Sequence, residues 1–129
     1  MSYKEKAANL HASGYNCAQA VVCAFADKID VEEKTLFKLA EGFGRGMGNM
    51  EGSCGAISGA IMAIGFINSD GNKTSKVSTY GRSTYILDEF KKQRGTVRCK
   101  DLKTQGPCFT PCRQCVELAA ELLEKELEK

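Results

Sequence analysis

Apolar residues recur at helical spacing through most of the chain, and nowhere do they alternate with the two-residue rhythm of a strand. In "NCAQAVVCAFADKI", residues 16–29, positions 17, 18, 21, 24, 25 and 29 form one stripe. "EEKTLFKLAEGFG" predicts a shorter helix ending near its glycines. "CGAISGAIMAIGFIN", residues 54–68, is apolar on every side, which predicts a central buried helix. "SDGNK", residues 69–73, reads as a loop. From about Thr74 to Arg94 a stripe returns at positions 77, 80, 84, 87 and 90 or 91, and Gly95 is placed as a C-cap. "PCRQCVELAAELLEKELEK" predicts a strong last helix, with Glu121 and Lys125 paired four residues apart. The opening "YKEKAANLHASG" adds one more short helix. These segments predict an all-α, compact single-domain bundle over residues 1–129, with five or six helices around a central, buried Gly/Ala-rich one.

Helix starts fall on cysteines. Asn16 stands before Cys17, with Gln19 three residues on, as in a capping box. Ser53 stands before Cys54 in the same relation, and Thr110 precedes Pro111, a residue favoured at the first helical position. Cys17 and Cys54 are therefore expected at first helical positions, with Cys112 and Cys115 in the next turn of theirs. The start of a helix carries unpaired N–H groups and a partial positive charge, which favour a thiolate and lower its pKa. Core cysteines should instead scatter along helices, as Cys23 does. The glycines add to this picture. Gly55, Ala56, Gly59, Ala60 and Ala63 leave a smooth helix that another backbone can approach closely. The run from Gly42 to Gly48 can take positive φ and turn N–H groups toward an anionic centre.

Composition narrows the function. A chain of 129 residues and 14.0 kDa fits one domain and can bury a core without staples. The net charge of +2, from 18 basic and 16 acidic residues, gives no reason to expect nucleic acid as a partner, and Lys91-Lys92-Gln93-Arg94 reads as a solvated helix end. No targeting segment is visible, and the longest apolar run, residues 56–67, is too short to cross a bilayer, so no membrane partner and a cytoplasmic location are expected. Seven cysteines, Cys17, Cys23, Cys54, Cys99, Cys108, Cys112 and Cys115, then point to metal ligation, redox chemistry or burial rather than structural disulfides. "CFTPCRQC", residues 108–115, has a C-x3-C-x2-C spacing that can hold three corners of an iron–sulfur cluster, with Cys99 or Cys54 as a fourth. Zinc also accepts four thiolates, although only one CxxC is present. The lone His11 reads as a surface residue, and the glycine run lacks the strand and Lys-Ser/Thr of a phosphate loop.

The stretches "GYNCAQAVVCAF", "FGRGMGNMEGSCGAISGAIMAIG" and "CVELAAELLEK", with Cys99 after the long helix, resemble a family of small redox-active proteins named for a C, CGAxxG, C, C cysteine pattern. The resemblance covers nearly the whole chain. It implies that Cys17, Cys54, Cys99 and Cys115 are the family's four cysteines and share one site, as redox thiols or metal ligands. Gly52, Ser53 and Gly55, flanking Cys54, are the residues expected beside a cofactor; Cys23, Cys108 and Cys112 are extra, the last two being alternative ligands. Three readings follow: electron transfer or redox sensing through an iron–sulfur centre, a metal-free thiol–disulfide oxidoreductase, or a helical assembly module with core cysteines. The first two require a redox partner protein. The apolar helix 54–68 further suggests a homodimer.

Overall fold

The computed structural model describes residues 1–129 and is built from seven α-helices. They are α1 (Tyr3–Ala12), α2 (Cys17–Ala24), α3 (Glu33–Ala40), α4 (Gly55–Asn68), α5 (Lys76–Arg94), α6 (Cys99–Lys103) and α7 (Cys112–Leu127). Residues 41–50, between α3 and α4, fold into two short irregular helical turns. There is no strand, only one antiparallel bridge between Ser53 and Arg98. The all-α class agrees with the apolar periodicity. The helix count is seven rather than five or six, because α6, at five residues, is too short to leave a periodic signal.

Local signals place most boundaries. The Asn16–Gln19 capping box forms, with both reciprocal hydrogen bonds at 2.9 Å. Gly95 closes α5 in the left-handed region, at φ 87°, and its N–H reaches the Lys91 carbonyl at 2.7 Å. α2 ends at Ala24 instead of running to residue 29. There the chain tightens into bonds reaching three residues back, and Phe25 stacks on Tyr3 of α1 with ring centroids 4.2 Å apart. Phe25 and Ile29 stay buried all the same.

α4 lies against α2, α5 and α7 and buries Gly55, Ala56, Ile57, Gly59, Ala60, Ala63 and Ile64. It is not buried all round. Ile61 and Met62 are half-exposed and Phe66 is 49% exposed, since three neighbours leave one side of the cylinder open. The buried face of α5 also differs from the apolar stripe. Ile86 and Phe90 are buried, whereas Val77 and Tyr80 point outward. Toward its start α5 docks through a polar residue: Arg82 donates to the Glu126 carboxylate at 3.1 Å, to the Glu126 carbonyl at 2.7 Å and to Asn68 at 3.0 Å.

The crossing of α2 and α4 sets the position of everything that follows. A Cβ on Gly59 would stand 2.5 Å from the Ala18 carbonyl oxygen, and one on Gly55 would stand 3.3 Å from the Cys17 Cβ. Only glycine lets these backbones meet. Gly59→Ala would gain about 1 kcal/mol of helix propensity, but the overlap is with backbone, which cannot yield, at about 1–3 kcal/mol or more. Net destabilisation is expected. Gly65→Ala, in the same helix with nothing within 4 Å of its Cβ, should instead stabilise, by about 0.5–1 kcal/mol. Denaturant melts of the two variants check this; the same sign for both would contradict the crossing.

Candidate thiol centre

Four helices begin at one place, each at a cysteine or just after one. Cys17, Cys99 and Cys112 are the first residues of α2, α6 and α7; Cys54 precedes the first residue of α4; Cys115 lies in the first turn of α7. Two short backbone links align the middle pair. The Cys54 N–H donates to the Val97 carbonyl at 2.7 Å, and the Cys99 N–H donates to the Gly52 carbonyl at 3.0 Å. Gly46 fits beneath Cys99, where a Cβ would stand 2.4 Å from the Cys99 Cβ. That fit comes with backbone strain. Arg45, Gly46, Met47, Gly48 and Met50 all have positive φ, and the non-glycine members each cost about 1–2 kcal/mol. Strain of this kind persists only where the surrounding structure fixes it, and it gathers at functional sites.

A cavity of about 370 Å³ opens among these elements. Cys17, Cys54, Cys99 and Cys112 line it, with His11, Asn16, Arg45, Met50, Gly55 and Lys103. Cys17, Cys54, Cys99 and Cys115 are 9%, 1%, 3% and 0% exposed, so half-exposed Cys112 is the thiol that a solute meets.

The sulfurs fall into two pairs, Cys17 with Cys112, within 4.8 Å of each other, and Cys54 with Cys115. Each pair holds its proton on the partner outside α7. Hydrogen bonding to Cys112 and burial push Cys17 upward; hydrogen bonding to Cys115 and burial do the same to Cys54. Cys112 is lowered to about 5, first by the Cys17 hydrogen bond and then by Lys103 and His11. Cys115 is lowered to about 7 by the Cys54 hydrogen bond and by Lys103. The negative charge settles on α7 because Lys103 is there: its ammonium donates to Cys115 Sγ at 3.3 Å and to the Thr110 carbonyl at 3.2 Å. Burial alone would lower Lys103, but the nearby sulfurs of Cys115, Cys54 and Cys112 outweigh it and raise the group. Cys99 is raised by burial.

Cys17, Cys54, Cys99 and Cys115, the four cysteines singled out from the sequence, lie together at this centre. Several details differ. Cys54 precedes α4 instead of opening it, Ser53 is held in the bridge to Arg98, and Pro111 sits one residue before the helix it was expected to open. Cys17 and Cys54, expected to be lowered by helix N-termini, are raised, because burial and a hydrogen-bonded thiolate outweigh a helix end. Cys112, held in reserve as an alternative, is the accessible member, and the CxxC it forms with Cys115 at a helix start was the available signal. Cys108 lies apart, against Gly95, and Cys23 is buried in α2 with its thiol on the Glu33 carbonyl at 3.7 Å. Of the three residues flanking Cys54, Gly55 lines the cavity, Gly52 holds Cys99, and Ser53 braces Arg98. His11, read from the sequence as a surface residue, stands at the cavity beside Cys17 and Cys112; Lys103, Arg45 and Met50 were not anticipated, since nothing local marks them.

Fold and site together define a small all-helical protein with a buried cluster of paired thiols. The chain belongs to the family described as "Putative redox-active protein (C_GCAxxG_C_C)", whose sequence model matches residues 15–126. No curated protein and no solved structure matches it significantly. No helix is long and apolar enough to cross a membrane.

Proposed function

We propose that the protein is a dithiol redox carrier in which Cys112 meets the partner and Cys17 resolves. The carrying observation is the pair itself: a half-exposed sulfur, Cys112, and a buried one, Cys17, on two helices and within 4.8 Å of each other, in a cavity that Lys103 also lines. In the oxidising direction Cys112 thiolate attacks a partner disulfide, forming one S–S bond and releasing one partner thiolate. That thiolate takes the Cys17 proton. The Cys17 thiolate then attacks Cys112 Sγ, closes the Cys17–Cys112 disulfide and expels the second partner thiolate, which takes a proton from water. Two electrons pass to the partner, and the reverse reaction reduces the protein. Cys54 and Cys115 form a second, enclosed pair, and Lys103 compensates the charge of both thiolates.

The partner would be another thiol protein or a small disulfide, and the chemistry suits a reducing compartment such as the cytoplasm. Metal-free protein treated with a small disulfide should lose two hydrogens in mass, yield a peptide joining Cys17 to Cys112, and recover both thiols on reduction. A chain that forms no such link sinks the reading.

Convergence of five sulfurs on one centre also supports a second reading, an iron–sulfur centre for electron transfer or sensing held by Cys17, Cys54, Cys99 and Cys115, with Cys112 as substitute. Lys103 weighs against Cys115 as an iron ligand, because its ammonium already occupies that sulfur. Iron and brown colour in protein prepared without oxygen would favour this second reading.

We also propose that a second copy covers the open side of α4 around Ile61, Met62 and Phe66. Sedimentation at micromolar concentration should show a dimer; a 14.0 kDa species alone removes the proposal.

A further inference from the structure

The thiol exchange gives the ring of His11 no bond-making step of its own. It stands in the last turn of α1, half-exposed, at the rim of the cavity. One of its nitrogens and the sulfurs of Cys17 and Cys112 all lie within 4.8 Å of one another. The three groups come from three different helices, and α1 packs directly on both α2 and α7.

We propose that reduced protein binds one Zn²⁺ through His11, Cys17 and Cys112. The donor set is one imidazole and two thiolates, which suits a soft-accepting, tetrahedral, redox-inert cation. Zinc bonds of about 2.3 Å to sulfur and about 2.0–2.1 Å to nitrogen put tetrahedral donors about 3.5–3.8 Å apart, so the three groups need close by no more than about 1 Å. Two thiolates and a neutral imidazole cancel the charge of the ion. All three donors line the cavity, so the fourth position opens onto it and is free for water or a small ligand. Lys103 lines the same cavity and acts on Cys112 as well, but its ammonium donates to Cys115 Sγ and the Thr110 carbonyl, neither of which belongs to this set.

The ion and the disulfide compete for the same two sulfurs. Closing the Cys17–Cys112 bond removes two of three donors, so oxidation releases the ion and bound ion slows oxidation. This gating rests on the dithiol reading above; the site in the reduced protein does not.

The test uses Co²⁺ as a coloured substitute for Zn²⁺, added to full-length reduced protein without oxygen. One equivalent should give tetrahedral visible bands and sulfur-to-cobalt charge transfer, bleached by one equivalent of Zn²⁺. His11→Ala and Cys112→Ser should each weaken Co²⁺ binding at least about tenfold, since even groups that only orient ligands cost that much. Cys108→Ser should leave it unchanged. Because His11 is half-exposed on a helix, its alanine variant should fold, and circular dichroism checks that. No cobalt spectrum, or a spectrum indifferent to His11→Ala, overturns the site. A mapped Cys17–Cys112 disulfide without cobalt binding overturns the site and leaves the dithiol reading standing. Cobalt binding without any such disulfide keeps the site and removes both the gating and the dithiol reading.

Discussion

Cys112→Ser should cut the rate of disulfide exchange at pH 6 by at least about tenfold, whereas Cys108→Ser should change it less than about twofold. The size follows from two opposing effects. At pH 6 a thiol lowered to about 5 is almost all thiolate, while an ordinary thiol near 8.5 is about 0.3% thiolate. Each drop in pKa also weakens the thiolate as a nucleophile, by a factor that recovers most of that advantage. About tenfold remains from chemistry alone, and exposure adds to it, because the other four sulfurs of the centre are nearly closed to solvent. Near pH 7 the chemical terms nearly cancel, so there the effect of Cys112→Ser should come from access. Cys23→Ser is a second control, since Cys23 is buried away from the cavity and its thiol is raised to about 11 by burial and Glu33. Stopped-flow exchange with a small aromatic disulfide measures all three variants. Equal rates for Cys112→Ser and wild type at pH 6 would remove Cys112 from its role.

Lys103→Met should move the ionisation of the centre toward higher pH. The ammonium favours the charged form of every nearby sulfur, and Cys112 and Cys115 are the two that are lowered. Without it both should rise, and the thiolate absorbance that persists in wild type down to the region of pH 5–7 should be lost earlier on acidification. An opposite charge at this range moves a pKa by about 1–3, and the half-exposed setting points to the lower end. Exchange measured at pH 6 should nevertheless change by less than about twofold in Lys103→Met, because the thiolate lost is offset by the stronger nucleophilicity of what remains, and the titration should stay near wild type in Lys103→Arg, which keeps the charge. The fold should survive at neutral pH, because the sulfurs can take up protons once the cation is gone. An unshifted thiolate titration in Lys103→Met would show that hydrogen bonding between sulfurs alone holds the charge on α7.

Much of this architecture was written locally. The capping box at Asn16 and Gln19, the glycine that closes α5 and the proline before α7 act within one turn of chain, so they can be read without knowing any neighbour. The same holds for the thiols at helix starts, and the small residues of α4 announced a close crossing before its partner was known. What tertiary structure decided is which sulfur faces which, and which carries charge. Cys17 and Cys54 have the local setting of reactive thiols and end as the protonated members of their pairs, because burial and a facing thiolate act from outside their own helices. Cys112 gains its charge from Cys17, Lys103 and His11, which lie between 9 and 101 residues away along the chain. Local order fixes torsions and helix ends; burial and Coulomb energy depend on distances that exist only once the helices have packed.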